Sequence, residues 1–261
     1  MGKILMTGFA LLMLSARLAA MEGVFDRSAE VDRYIAQLNS EQSKETLIAA
    51  VAKPVYVSGI GDERLAQALS DRLMRDLPSL DASRDSAQYG AWMVKALGST
   101  GTELARSSIK EVQSKTKIAR IRSECADQLH ELDWERRKNE IMASRANYQE
   151  GSDMRIAQLL NLLQSEDYSY KQDAAYRMSW DKILDPRLME EIGAQLQAFA
   201  DKGGVSNNKA ENVAMSHYAK MLGYSGNQKY GPLLITLSKS KTDSLVKKQA
   251  VGALKRLDYK G

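Results

Sequence analysis

The sequence predicts an all-α fold: a right-handed α-solenoid of stacked helix pairs, arranged as two tandem units of three pairs each. Three observations predict it. Residues 243–257 place Val246, Ala250, Ala253, Leu254 and Leu257 on one helical face, and Lys247, Lys248, Lys255 and Arg256 on the wet one. The chain also aligns with itself: Ile121, Cys125, Leu129 and Leu132 stand 125 residues before Val246, Ala250, Leu254 and Leu257. Only 4 prolines in 261 residues fit a helix-rich chain, and strand signals are thin, the best candidate, Val55-Tyr56-Val57, being short and bounded by Pro54 and Gly59.

The self-alignment extends beyond one helix. At the same shift Leu38-Asn-Ser40-Glu41 meets Leu163-Gln-Ser165-Glu166, and Lys95-Ala-Leu97-Gly98 meets Lys220-Met-Leu222-Gly223. At a shift of 123, Asp62-Glu-Arg64-Leu65 meets Asp185-Pro-Arg187-Leu188. Collinear blocks of this kind mark a duplicated unit, and helix pairs repeated along a chain stack into a solenoid. The units are 33–136 and 158–261, joined by a helix and loop over 137–157.

The elements follow in order. Residues 31–38 lead to 44–52, a helix that Pro54 ends or kinks. Asp62 caps 63–77, with Leu65, Leu69 and Leu73 one turn apart. After a loop at 78–86 comes a helix over 87–97, with Gly98 as its left-handed stop. Thr102 opens the next helix, and Ser114-Lys-Thr-Lys117 turns the chain into 118–132. In the second unit the helices are 153–164, 168–180, 185–201, 211–222, 230–237 and 242–257. Asp185-Pro186 is a cap followed by proline at the first helical position. Residues 135–152 have no counterpart in the other copy and read as an extended helix with a loop at 147–152.

The stretch 243–257, and with it 121–132, resembles the inner helix of a HEAT-like repeat, whose common form runs Asp-x-x-Val-Arg-x-x-x-Ala-x-x-Ala-Leu-x-x-Leu. The resemblance implies an extended surface presented to another protein. It also admits an enzyme, because some HEAT-like proteins act as DNA base glycosylases or as lyases that attach bilins.

Residues 1–20 read as an export signal: Lys3, an apolar run over 4–14, then small residues up to Ala20, where cleavage is expected. The run is too short to span a membrane, which takes roughly 20 residues. Export leads to the bacterial periplasm or beyond the cell. Cys125 has no second cysteine to pair with, and it occupies the slot that Ala250 fills, so it reads as a buried small residue. Net charge +4 and a pI near 8.9 are too mild to imply nucleic acid.

No catalytic constellation emerges. His130 and His217 are isolated, no glycine-rich phosphate loop follows a strand, and neither metal nor cofactor is expected. Asp62 with Arg64 and Asp185 with Arg187 read as structural marks of the repeat, a cap plus an ion pair, although either arginine could bind an acidic ligand. Trp92, Trp134 and Trp180 are the aromatic candidates. Trp92 aligns with His217 and Lys95 with Lys220, and these four are the expected partner-binding residues. The run Arg136-Arg137-Lys138 reads as a solvated face. The expected function is that of a non-enzymatic protein-binding or scaffold protein of the periplasm, or a structural subunit of an envelope assembly. The oligomeric state is left open.

Overall fold

The computed structural model describes residues 23–239 and 241–259. The expected export signal at 1–20 lies outside them. All regular structure among the described residues is helical; the sole β feature is the isolated antiparallel bridge between Val24 and Ser144. No helix there is long and apolar enough to cross a membrane. Two compact units divide the chain, one ending at Ser144 and the other starting at Arg145.

The first unit opens with α1 (Ser28–Asn39). Next, Lys44–Leu47, a π-helical turn at Ile48–Ala52 and Lys53–Ser58 run on as one helical segment, α2. Pro54 therefore does not end this helix. It lacks an N–H, so the turn before it widens, and Lys53 N–H reaches back to Ile48 O. Val55-Tyr56-Val57 belongs to this helix, not to a strand. The segment stops at Gly59, which holds φ +67°. There follow α3 (Glu63–Asp76), α4 (Arg84–Ser99), α5 (Glu103–Lys115) and α6 (Ala119–Ala143).

Each start has a local cause. Asp62, Ser83 and Thr102 accept hydrogen bonds from the N–H groups of Leu65, Ser86 and Ala105. The core forms from apolar stripes: Leu65, Leu69 and Leu73 of α3 and Ile121, Cys125 and Leu132 of α6, which the sequence predicts, and Met93 and Leu97 of α4 are all fully buried. Each large apolar side chain so buried stabilises the unit by about 1.5–3 kcal/mol. Burial also pushes the Cys125 thiol up to about 12. One polar device closes the end of α1: the buried Arg72 guanidinium donates to Leu38 O (3.0 Å) and Ser40 O (2.9 Å) while its Nε meets Asp76 at 2.7 Å.

Gly98 does not end α4. The helix continues through it to Ser99, and the left-handed residue is Gly101, at φ +66°. What Gly98 supplies is space. A Cβ there would lie 2.3 Å from Gln128 Oε1, so α4 and α6 cross so closely that a side chain at this position would have to displace that of Gln128. Lys138 also departs from expectation. It is not on a solvated face but almost wholly buried, paired with buried Glu135 one turn away, its ammonium 4.7 Å from the Trp134 ring centroid.

The second unit has six helices in the same order: α7 (Met154–Leu163), α8 (Tyr168–Asp181), α9 (Pro186–Asp201), α10 (Lys209–Tyr224), α11 (Gly231–Lys239) and α12 (Ser244–Leu257). Helices α4 and α10 start at Arg84 and Lys209, and α6 and α12 at Ala119 and Ser244, both 125 residues apart. The close crossing recurs too. Helix α10 passes through Gly223, whose added Cβ would lie 2.6 Å from the Ala253 Cα, and Ala253 stands 125 residues after Gln128. The device at the end of α1 has a neutral counterpart, in which Gln195 Nε2 donates to Leu163 O at 2.8 Å. Helix α8 stops on a left-handed residue as α2 does, but that residue is Lys182, at φ 54°.

Candidate functional site

Two aromatic and cationic patches contain the four residues singled out by the self-alignment. In the first unit Trp92 and Lys95 lie three apart on α4, and Lys53 and Tyr56 three apart on α2, so each pair shares a helix face. Tyr56 meets Trp92 edge to face, with ring centroids 6.0 Å apart. Lys53 Nζ stands 5.4 Å from the Trp92 centroid, and Lys95 Nζ 5.6 Å from Trp92 and 5.7 Å from Tyr56. Each such contact is worth about 0.5–1 kcal/mol at an exposed site. Lys95 is held on its other side by Glu124 of α6, at 3.7 Å. Burial raises the Glu124 pKa.

The patch of the second unit is more open. His217 of α10 meets Tyr176 of α8 edge to face, centroids 6.2 Å apart, and Tyr176 stacks on Trp180 one turn along α8 at 6.1 Å. Trp180 is 74% exposed and Tyr176 52%. His217 Nδ1 is buried without a hydrogen-bond partner. Burial, and then the charge of Lys220, lower the His217 pKa, so the ring is neutral near pH 7. Lys220 itself lies over Tyr224, at 5.9 Å, which Arg256 of α12 covers more closely at 4.6 Å.

The structure thus brings Trp92 and Lys95 onto each other and onto the shared ring of Tyr56, whereas His217 and Lys220 face different aromatic partners. Lys53, Tyr56, Tyr176, Tyr224 and Arg256 were missed. One signal could have found two of them: Lys53 and Tyr176 stand 123 residues apart, as do the helix ends Gly59 and Lys182. Of the other candidates, His130 is exposed on α6, remote in character from any catalytic cluster.

The repeat marks are caps. Asp62 caps α3, and Arg64 bridges it to Asp32 of α1 at 3.0 Å. Asp185 accepts from Arg187 N–H (2.9 Å) and pairs with the Arg187 guanidinium, whose Nη1 is buried without a hydrogen-bond partner.

The first unit also has a cleft of about 430 Å³ at the start of α3, the α4–α5 turn and the far end of α6. Glu63, Thr100, Glu103, Arg136, Asn139 and Glu140 line it. Asn139 Nδ2 donates to Ser99 O and Thr100 O, and its buried Oδ1 has no hydrogen-bond partner. Glu103 is tied to Arg136 and Arg106, which hold its carboxyl below the usual range. Among the described residues no three His, Cys, Asp or Glu side chains gather as a metal site. Compared with known proteins, the chain matches no family model and no curated sequence.

Proposed function

We propose that this chain is a non-enzymatic protein-binding or scaffold protein of the bacterial periplasm, a solenoid of HEAT-like helix pairs that presents a helical surface to a partner protein. The observation that carries the reading is the Tyr176–Trp180 stack beside His217. An indole three-quarters exposed leaves a large apolar area in water, and aromatic anchors of this kind dominate binding at protein interfaces. The duplicated helix order, the resemblance of 243–257 to a HEAT-like inner helix and the export pattern at 1–20 support the same reading. So does the second patch, built around Trp92 at the matching position of α4.

The test is capture of partners from native envelope extract on immobilised protein, wild type against Trp180→Ala with Tyr176→Ala. The expected result is a specific partner on the wild type and its loss from the double variant. A wild-type lane no richer than background overturns the reading. Mass spectrometry of the native protein checks location: a periplasmic product beginning near Met21 is expected.

A further inference from the structure

Charge is unevenly spread along this chain. Residues 202–261 hold 11 Lys and Arg against 3 Asp and Glu, a balance of +8, although the whole chain is only +4. Helix α12 has Lys247, Lys248, Lys255 and Arg256 and no carboxylate from Ser244 to Leu257. All four are exposed. Its dipole favours Lys255 and Arg256, which lie in the last turn, but opposes Lys247 and Lys248, nearer the positive end. Among the described residues none of the four, nor Lys220, has an ion-pair partner. Elsewhere many cations do meet a carboxylate, among them Arg64, Arg72, Arg106, Arg136 and Arg137 of the first unit and Arg155, Arg177 and Lys229 of the second. Cations gathered on one helix without ion-pair partners make a positive patch that an anionic partner complements.

The face is not purely cationic. Lys248, Val251 and Lys255 run along its middle by helical geometry, with Leu245 and Arg256 to one side and Lys247 to the other. Leu245 and Val251 are part-exposed, and so is Tyr224 under Arg256.

We propose that the outer face of α12, with Lys220 and Tyr224 of α10, docks an acidic amphipathic segment of a partner protein. Carboxylates of that segment meet Lys248, Lys255 and Arg256, and its aliphatic side chains cover Leu245 and Val251. A nucleic acid supplies the negative charge but little aliphatic surface, and Tyr224, the ring at this face, is shared by Arg256 and Lys220, so successive bases find no row of rings to stack on. A lipid surface calls for a broad apolar face to insert, and the apolar stripe of α12 (Val246, Ala250, Ala253 and Leu257) is buried within its own unit. The inference rests on the protein-binding reading and adds the partner's chemistry to it.

The test is fluorescence anisotropy on the full-length protein with three probes. They are a labelled glutamate peptide carrying leucines at helical spacing, oligodeoxythymidylate of equal charge, and phosphatidylglycerol vesicles. The peptide is expected to bind tightest, to weaken with added salt, and to lose about tenfold in affinity to Lys248→Glu with Lys255→Glu. Circular dichroism confirms that these exposed changes leave the fold intact. Unchanged peptide binding by the variant overturns the proposal, as does tighter binding of the oligonucleotide or the vesicles. Repeating the envelope capture with the same variant separates the two ideas. A partner retained by the variant overturns this docking face alone, whereas no partner on the wild type overturns the protein-binding reading as well.

Discussion

Lys138 and Glu135 form an ion pair with almost no access to water. Removing one member of such a pair leaves a buried charge without its counterion. Lys138→Met is expected to cost about 3–5 kcal/mol, and adding Glu135→Leu to recover most of it, as read from urea unfolding. His217 gives a pH signature. Its folded pKa is depressed below the ordinary 6.5, so on acidification the unfolded chain takes up a proton that the folded chain resists. The histidine's contribution is complete above pH 6.5 and is lost as pH falls below it. The midpoint of thermal unfolding should therefore fall more steeply below that pH for the wild type than for His217→Gln. Some residues were legible in the sequence: Cys125 is buried, as its alignment with Ala250 implied. Lys138 was not, because a basic run reads as solvated unless the helix face it lies on is known.

At the scale of elements, α3, α9 and α12 were legible from one cap and one apolar stripe each. Helix ends were less so. Two glycines three residues apart, Gly98 and Gly101, could each stop α4; the register of α4 decides, and it puts Gly98 against α6. The same holds for Gly223 and Gly226 in α10. An alanine at Gly98 would press on the Gln128 side chain, which can turn aside in part, at about 1–3 kcal/mol. At Gly223 it would press on the backbone of Ala253, which cannot. Gly223→Ala is expected to destabilise more than Gly98→Ala in urea titrations, and equal losses would contradict this account of the two crossings. The π-turn of α2 was hidden because a proline is compatible with a stop, a kink or a widened turn, and the neighbouring packing chooses among them.

Over the whole chain, the helix order of each unit was readable because similar caps and apolar stripes recur at a fixed spacing in the sequence, which separates signal from local noise. The patches were half readable. Alignment singled out Trp92, Lys95, His217 and Lys220, but their ring partners come from helices distant in sequence. The cleft at Asn139 left no sequence signal, since an orphaned carbonyl depends on atoms brought together only by folding. Overall composition concealed the basic end of the chain, because the acidic excess of residues 1–201 offsets half of it in the sum.

The stops of α2 and α8 share a conformation but not a residue type. Where the first has Gly59, the second has Lys182 in the same left-handed conformation, which costs an L-residue with a side chain about 1 kcal/mol. Lys182→Gly thus offers a reporter with little disturbance around it, since the residue it replaces is exposed. If calorimetry resolves two melting steps, the substitution should move the step that belongs to the second unit upward and leave the other in place. That would assign each step to its unit without cutting the chain.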